Sequence, residues 1–484
     1  MIMKFLPRTL ALMAASFSAG LILSVSLAAQ ADKKAEPLPL ADIELFADVF
    51  SSIKNYYVDE VSDPKLLENA IKGMVEGLDP HSSYLDFKAF RDMQESTSGE
   101  FGGLGLEVSK DAQGVRVITP IDDTPAARAG VLAGDLIIKI DGKATADLSL
   151  NENVKMMRGK PKTAIVLTIA RKGVAKPIVI RIVRDIIKVH SVKSKPLTDG
   201  IGYIRITNFQ ERTAEDVVKA LADLDKKGAL KGLVLDLRNN PGGLLNAAIG
   251  VSAAFLPKDE LVVSTRGRNP QDERKFIANS KDYSLSKFGR DALTGLPAAA
   301  KTTPVVVLIN PASASASEIV AGALQDHKRA AIMGTRSFGK GSVQTILPLR
   351  MKKDQTTGIK ITTARYYTPS GRTIQAKGIR PDIEVDDTPE GNYPSFTVRE
   401  SDLAHHIEVT DGKKGADGKQ QAEDDAAMSE EEFKTPTLRY TFGDDKDFPL
   451  QQAKAHLLGK PVVTHAQTQA KLKAERKKNA AKAD

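Results

Sequence analysis

The stretch PVVVLINPASASASEIVAGALQD, Pro304 to Asp326, decides the fold. A β-branched apolar run stops at a turn of small residues. It is followed by Ile319, Val320, Ala323 and Leu324 at helical spacing. Strand, tight turn and helix form the repeating unit of an α/β sheet. Two neighbouring stretches read the same way at their strand ends: GLVLDLR (232–238) leads into NNPGG and the helix LLNAAIGVSAAF, and AAIMG (330–334) leads into TRSFGKG and the strand SVQTILPL. Three loops therefore leave three strand ends, the place where open α/β sheets keep their sites.

The first of these turns carries serines at 313, 315 and 317. A strand that turns sharply into a helix presents the turn residue on an exposed tip, with unbonded helix N–H groups behind it. Ser315 holds that position. Ser315 and Glu318 also spell an S-x-x-E capping box, so the local pattern alone favours a plain helix start. Small neighbours at Ala314 and Ala316, and the Ala316 N–H facing the place where an oxyanion would form, argue for a nucleophile.

A serine nucleophile needs a base. His327 stands at the far end of the same helix, about 16 Å along its axis and out of reach. His81, in DPHSSY, is a remote candidate that spacing leaves open. Lys340, between Gly339 and Gly341, is the alternative. To act it must be neutral, which requires burial to lower its pKa by several units from about 10.4. Gln344, four residues on, is placed to orient the amine. GTRSFGKG is one residue short of a phosphate loop, with Gly341 where a magnesium-binding hydroxyl should stand and a strand where a helix should follow. Nucleotide binding is therefore not expected.

Composition narrows the rest. The 484 residues exceed one ordinary core, and 41% hydrophobic with 27% charged residues describes globular domains. With no Cys, disulfides and thiolate metal or redox sites are excluded. Lys4 and Arg8 precede a run without charge from Thr9 to Ala31 that ends in Ala-Gln-Ala, which reads as a signal peptide, residues 1–31. The competing reading is an uncleaved anchor; both place the remainder outside the cytoplasm. Removing Lys4 and Arg8 lowers the net charge from +8 to +6. Much of that charge sits in the basic tail after Gln469, opposed by an acidic cluster from Glu423 to Glu432, and no basic-aromatic patch suggests nucleic acid.

Residues 37–98 read as helices, with Leu40, Ile43, Phe46, Phe50 and Ile53 near helical spacing and a second helix opening at Asp63-Pro64. Residues 99–185 read as a compact domain of short strands with one helix, LNENVKMMRG. Residues 186–390 hold the α/β core, 391–445 a polar flexible linker, and 446–484 a helix followed by the basic tail.

GLDPHSSYLD, FGGLGLEV, AGVLAGDLIIKIDG, DLRNNPGGLL, SASASEIVAGALQD and GTRSFGKGSVQT stand in the order found in the carboxyl-terminal processing (tail-specific) peptidases, which the chain resembles across most of residues 37–390. The resemblance implies an α/β multidomain protein: an N-terminal helical segment, then a PDZ-like domain before a protease core of the crotonase-like ββα type. It also implies a Ser/Lys dyad at Ser315 and Lys340, with Gln344 in support. The implied oxyanion donors are the N–H groups of Ala316 and of Gly242 or Gly243. Asp326 matches an aspartate that some members need, although capping or a salt bridge explains it equally well. Pro311 and Ala312 depart from the family's pattern, standing where many members have two glycines. In the PDZ-like domain Gly103, Leu104, Gly105 and Leu106 match the loop that holds a peptide's terminal carboxylate while the peptide adds as a strand, and Arg158 is a candidate sensor of the bound tail.

The expected function is therefore an extracytoplasmic, periplasmic serine endopeptidase that takes protein substrates by their apolar C-termini. It needs no cofactor and no metal. A homo-oligomer is expected, with room for an envelope adaptor protein as partner. The alternative is a non-catalytic PDZ-type envelope adaptor or chaperone.

Overall fold

The computed structural model describes residues 39–480 apart from 122, 229, 285–290, 350–355, 393–397 and 409–440. The expected signal peptide, most of the linker and the last four residues lie outside the described residues. Residues up to Ile71 and from Lys72 onward form separate compact units. In the first, α1 (Leu40–Tyr56) buries none of its residues, and Leu40, Phe46 and Val49 stay about half or more exposed. α2 (Asp63–Glu76) opens on the expected Asp-Pro pair, and Asp63 meets Lys54 of α1 at 2.8 Å.

The second unit takes in the end of α2 from Lys72 and continues with β1 (Ser83–Leu85) and α3 (Phe87–Ser98). Asp86 starts α3 by accepting the Ala89 N–H at 2.8 Å, and Gly99, at φ 71°, ends it in the left-handed conformation that glycine adopts without strain. The next strands are β2 (Glu100–Gly103), β3 (Leu106–Asp111), β4 (Gly114–Pro120) and β5 (Leu136–Ile140). Helix α4 (Leu150–Met157), capped reciprocally by Ser149 and Glu152, precedes β6 (Ala164–Ala170), β7 (Ile178–Val183) and β8 (Asp185–Lys188). The antiparallel order β3-β4-β5-β6-β7 closes over an apolar core that includes Val115, Ile137, Leu167 and Met157. FGGLGLEV holds two strands: it breaks at Leu104 and Gly105, so that β2 pairs with β8 while β3 opens the larger sheet. β3 is therefore an edge strand, open to a further strand.

The α/β core supplies β9 (Val192–Pro196), β10 (Ile201–Ile206), α5 (Thr213–Lys226), β11 (Gly232–Asp236), α6 (Leu245–Phe255), β12 (Leu261–Arg266) and β13 (Arg274–Ile277). It continues through β14 (Val305–Ile309), α7 (Ala316–Asp326), β15 (Ala330–Gly334), β16 (Ser342–Leu349), β17 (Thr357–Tyr367) and β18 (Ile383–Glu384). One sheet runs β9-β10-β11-β14-β15-β18, parallel except for β9. β11, β14 and β15 are neighbours, each fully or nearly buried, which explains their unbroken apolar runs. Because they are parallel, NNPGG, NPASAS and TRSFGKG all leave the same edge of the sheet. α6 is buried all round, as its Ala-rich sequence requires, and packs against α7. A second sheet joins β16, β1, β12 and β13 around the long strand β17.

Helix α8 (Phe448–Leu457) lies on the other face of the main sheet, where Leu450 and Ala453 are buried beside Tyr203, Val306 and Met333. Its cap residue Asp447 reaches Arg238, which is 1% exposed, at 2.6 and 2.8 Å. Asp236 holds the other side of that guanidinium, and Phe442 lies under it at 4.5 Å. Helix α9 (His465–Ala480) follows.

Candidate active site

The three serines separate by their bonds. Ser313 Oγ donates to the Leu237 carbonyl at 2.9 Å, and Ser317 Oγ to the Asn240 carbonyl at 2.9 Å; both are fully buried. They stitch the serine turn to the end of β11. The Ser315 hydroxyl makes no cap hydrogen bond, and the residue is 9% exposed. Its backbone stands at φ 54°, ψ −112°, a strained conformation for a residue with a side chain.

The capping box around Ser315 is lopsided. The Glu318 N–H is held by the Ser315 carbonyl at 2.8 Å. The Glu318 carboxylate does far more than cap. Its Oε2 accepts the N–H of Ser315 at 2.7 Å and of Lys340 at 2.9 Å. Its Oε1 accepts the Ser337 hydroxyl at 2.6 Å and the Gly339 N–H at 2.7 Å. One fully buried carboxylate thus ties the turn of Ser315 to the loop of Lys340, and burial pushes its pKa up to about 7.

Lys340 is partly buried, and its amine is pushed down to about 8, first by burial and then by the charge of Lys360. Glu400, Glu318 and Asp79 pull the other way. The glycines around it permit this packing. A Cβ on Gly341 would stand 2.3 Å from the Gln375 backbone nitrogen, and Gly339 adopts φ 101°. No hydrogen bond joins Ser315 Oγ to Lys340 Nζ among the described residues; in unliganded sites such bonds are often long.

Gln344 is not bonded to the lysine. Its Nε2 donates to the hydroxyls of Ser342 at 3.0 Å and Thr362 at 3.1 Å. Lys340 precedes β16, whereas Gln344 lies within it directly opposite Thr362 of β17 and two residues from Ser342, the two neighbours it bonds. Of the candidate oxyanion donors, the N–H groups of Ala316 and Gly243 have no partner among the described residues, whereas Gly242 N–H is held by Asn240 Oδ1 at 2.9 Å. Gly242 still lines the site: a Cβ there would lie 2.9 Å from Ser315 Cβ. Asp326 sits at the far end of α7, where it accepts the Ser370 N–H at 2.8 Å and pairs with Arg372. That is the salt-bridge and capping reading. His327 bonds the Leu261 carbonyl at 2.7 Å, away from the dyad.

In the smaller domain the N–H groups of Leu104 and Gly105 have no partner among the described residues. They border a groove of about 110 Å³ whose apolar lining includes Leu104, Leu106, Val108, Val154 and Met157. Gly105, at φ 78°, lets Thr124 approach so closely that a Cβ would fall 2.2 Å from it. Arg158, also on the groove, stacks on Phe101 at 4.5 Å and pairs with Glu95 of α3 at 2.9 Å.

Comparison with known proteins agrees with this layout. Residues 200–385 match the model of peptidase family S41, residues 102–182 that of the PDZ domain, and residues 15–89 that of the activating protease CtpB N-terminal domain. The chain is 50% identical over 83% of its length, and 88% of the relative's, to a carboxy-terminal-processing protease of Bartonella bacilliformis. It is 36% identical to carboxy-terminal processing protease CtpA of Bacillus subtilis over 70% of this chain and 67% of that one. Among solved structures, the photosystem II D1 C-terminal processing protease aligns at 29% identity and a TM-score of 0.38, covering 75% of this chain and 97% of that one.

Proposed function

The chain belongs to peptidase family S41 as a carboxy-terminal-processing protease with a PDZ domain, and from that premise we propose that Ser315 is its nucleophile and Lys340 its general base. The observation that carries the assignment is Glu318 Oε2, which accepts the N–H of both residues. The neutral Lys340 amine takes the proton from Ser315 Oγ as the oxygen attacks the scissile carbonyl. The N–H groups of Ala316 and Gly243 receive the developing oxyanion, each worth a factor of about 100 to 1,000 in rate. The lysinium returns its proton to the leaving amine, and Lys340 then deprotonates the water that releases the acyl group.

The PDZ groove selects the substrate. A peptide adds to the open edge of β3, its terminal carboxylate takes the N–H groups of Leu104 and Gly105, and its last side chain enters the apolar groove. Residues 1–31 direct the protein to the periplasm. The exposed apolar side chains of α1 serve contacts between copies. The adaptor reading is not favoured, because it leaves the S41 core without a use.

The decisive experiment incubates the protein from residue 32, and its Ser315→Ala variant, with an unfolded substrate ending in apolar residues. Both proteins bind it and only the first cuts it; amidating the substrate's C-terminus weakens binding to both. Binding by both with cleavage by neither would restore the adaptor reading.

A further inference from the structure

Residues 398–408 lie beyond the S41 match and within the stretch read as linker, yet they return to the dyad. Glu400 is fully buried there. Its Oε2 meets His81 Nε2 at 2.7 Å, and its Oε1 accepts from Gln375 Nε2 at 2.8 Å. Gln375 Oε1 in turn accepts the Gly341 N–H at 3.0 Å, and the Glu400 N–H donates to the Phe338 carbonyl at 3.3 Å. The lysine loop is therefore gripped at Phe338 and Gly341, the two sides of Lys340. Further along the segment, Ile407 accepts from Gln375 and Glu408 from Arg365.

His81 is fixed on its own side. Asp79 Oδ1 accepts the His81 N–H at 2.8 Å and the Thr362 hydroxyl at 3.1 Å, and Thr362 Oγ1 accepts from Gln344. The network thus runs from the GLDPHSSYLD loop through Glu400 and Gln375 to the lysine loop, and back through Thr362 to β16. A buried carboxylate is costly unless its charge is used or its lone pairs are filled. Here the two partners take one bond each, and the carboxylate favours the charged form of the Lys340 amine.

We propose that Glu400, anchored by His81 and Gln375, is a positioning residue for Lys340 that fixes the base's loop and sets the pH at which the base becomes active. This rests on the Ser315 and Lys340 assignment above. Among the described residues, the charged groups that act most on the amine are Glu318 from α7, Asp79 from the loop before β1, Lys360 from β17 and Glu400 from the returning segment. A nearby carboxylate favours the lysinium, so Glu400 holds the base protonated to higher pH than burial and Lys360 alone would. Its removal lets the amine lose its proton earlier.

The test is kcat and KM between pH 6 and 10 for the protein from residue 32 and its Glu400→Gln variant, with Ser315→Ala and Lys340→Arg alongside. In Glu400→Gln the midpoint of the acid limb near the lysine moves down by about half a unit to one unit. The plateau kcat falls while KM for the tailed substrate stays within about twofold, since the groove is untouched. A midpoint that does not move overturns the proposal, whatever happens to the rate. Activity retained by Ser315→Ala or Lys340→Arg overturns the dyad instead. If Glu400→Gln does not fold, Gln375→Met cuts the tether to Gly341 together with one of the two bonds on Glu400. Its kcat must then fall, and an unchanged kcat refutes the tether.

Discussion

Lowering the pH removes activity faster than one proton can account for. Lys340, pushed down to about 8 by burial, must be neutral to accept the Ser315 proton in the role proposed for it. Glu318, pushed up to about 7 by burial, must be ionised, because three N–H groups and a hydroxyl donate to its two oxygens. A proton on Oε2 would face the N–H groups of Ser315 and Lys340 and drive the two loops apart. Both active forms are the deprotonated ones, so both losses fall on the acid side. At pH 9 about nine-tenths of the lysine is neutral; at pH 7 about one-tenth is, with about half of Glu318 ionised, leaving about 5% of the maximal rate. At pH 6 the two fractions multiply to about a thousandth. A plot of log kcat/KM against pH therefore has a slope near one just below pH 8 and approaches two below pH 7. The assay is initial cleavage of an unfolded fluorogenic substrate with an apolar tail, with binding by the Ser315→Ala protein measured at each pH to exclude loss of the groove. A slope that stays at one down to pH 6 refutes the ionised clamp, and a profile flat through pH 8 refutes Lys340 as base. Glu318→Gln returns the slope to one and lowers the plateau, because its amide nitrogen turns a donor toward donors. About two hydrogen bonds are lost, at roughly 2 to 6 kcal/mol.

Three further outcomes follow from packing. Gly341→Ala places a Cβ 2.3 Å from the Gln375 nitrogen, so the lysine loop must move and kcat falls at least about tenfold, while calorimetric tail binding is unchanged. Asp447→Ala removes two charge-assisted hydrogen bonds from the buried Arg238 guanidinium, whose charge Asp236 still balances, lowering stability by about 2 to 6 kcal/mol in urea unfolding; a loss under about 1 kcal/mol would mean that the cap residue is dispensable. Gly105→Ala, at φ 78° and against Thr124, weakens tail binding, and amidating the tail then has no further effect.

The α/β units were legible because their signals are local. β-branched runs meet small-residue turns at three places, and the three turns share one edge only because β11, β14 and β15 are parallel neighbours. The serine could be singled out for a similar reason, since it occupies the middle of its turn. That its two flanking serines are pinned to β11 is a long-range fact with no local signature. The partners of Gln344 were not legible, because one of them, Thr362, comes from the paired strand 18 residues away. The buried role of Glu400 was illegible for a different reason: VRESD reads as solvated polar chain, and charged residues are seldom buried.

Glu318 shows how far a local motif reaches and where it stops. S-x-x-E was legible as a helix start, and it is one. A cap needs one oxygen of the glutamate for one N–H, which leaves the second oxygen and half of the first without a task. At an exposed helix end water would fill them. Here the residue is fully buried, so protein donors must supply the remaining bonds, and they come from Ser337, Gly339 and Lys340 on the next loop. Burial turns an optional cap into an obligatory cross-link between the turn of Ser315 and the loop of Lys340. The same burial raises the carboxylate's pKa toward neutrality. Holding the Ser315 turn to the Lys340 loop and exposing the proposed dyad to loss of activity in mild acid are therefore one physical property, and a variant that removes the second must also loosen the first.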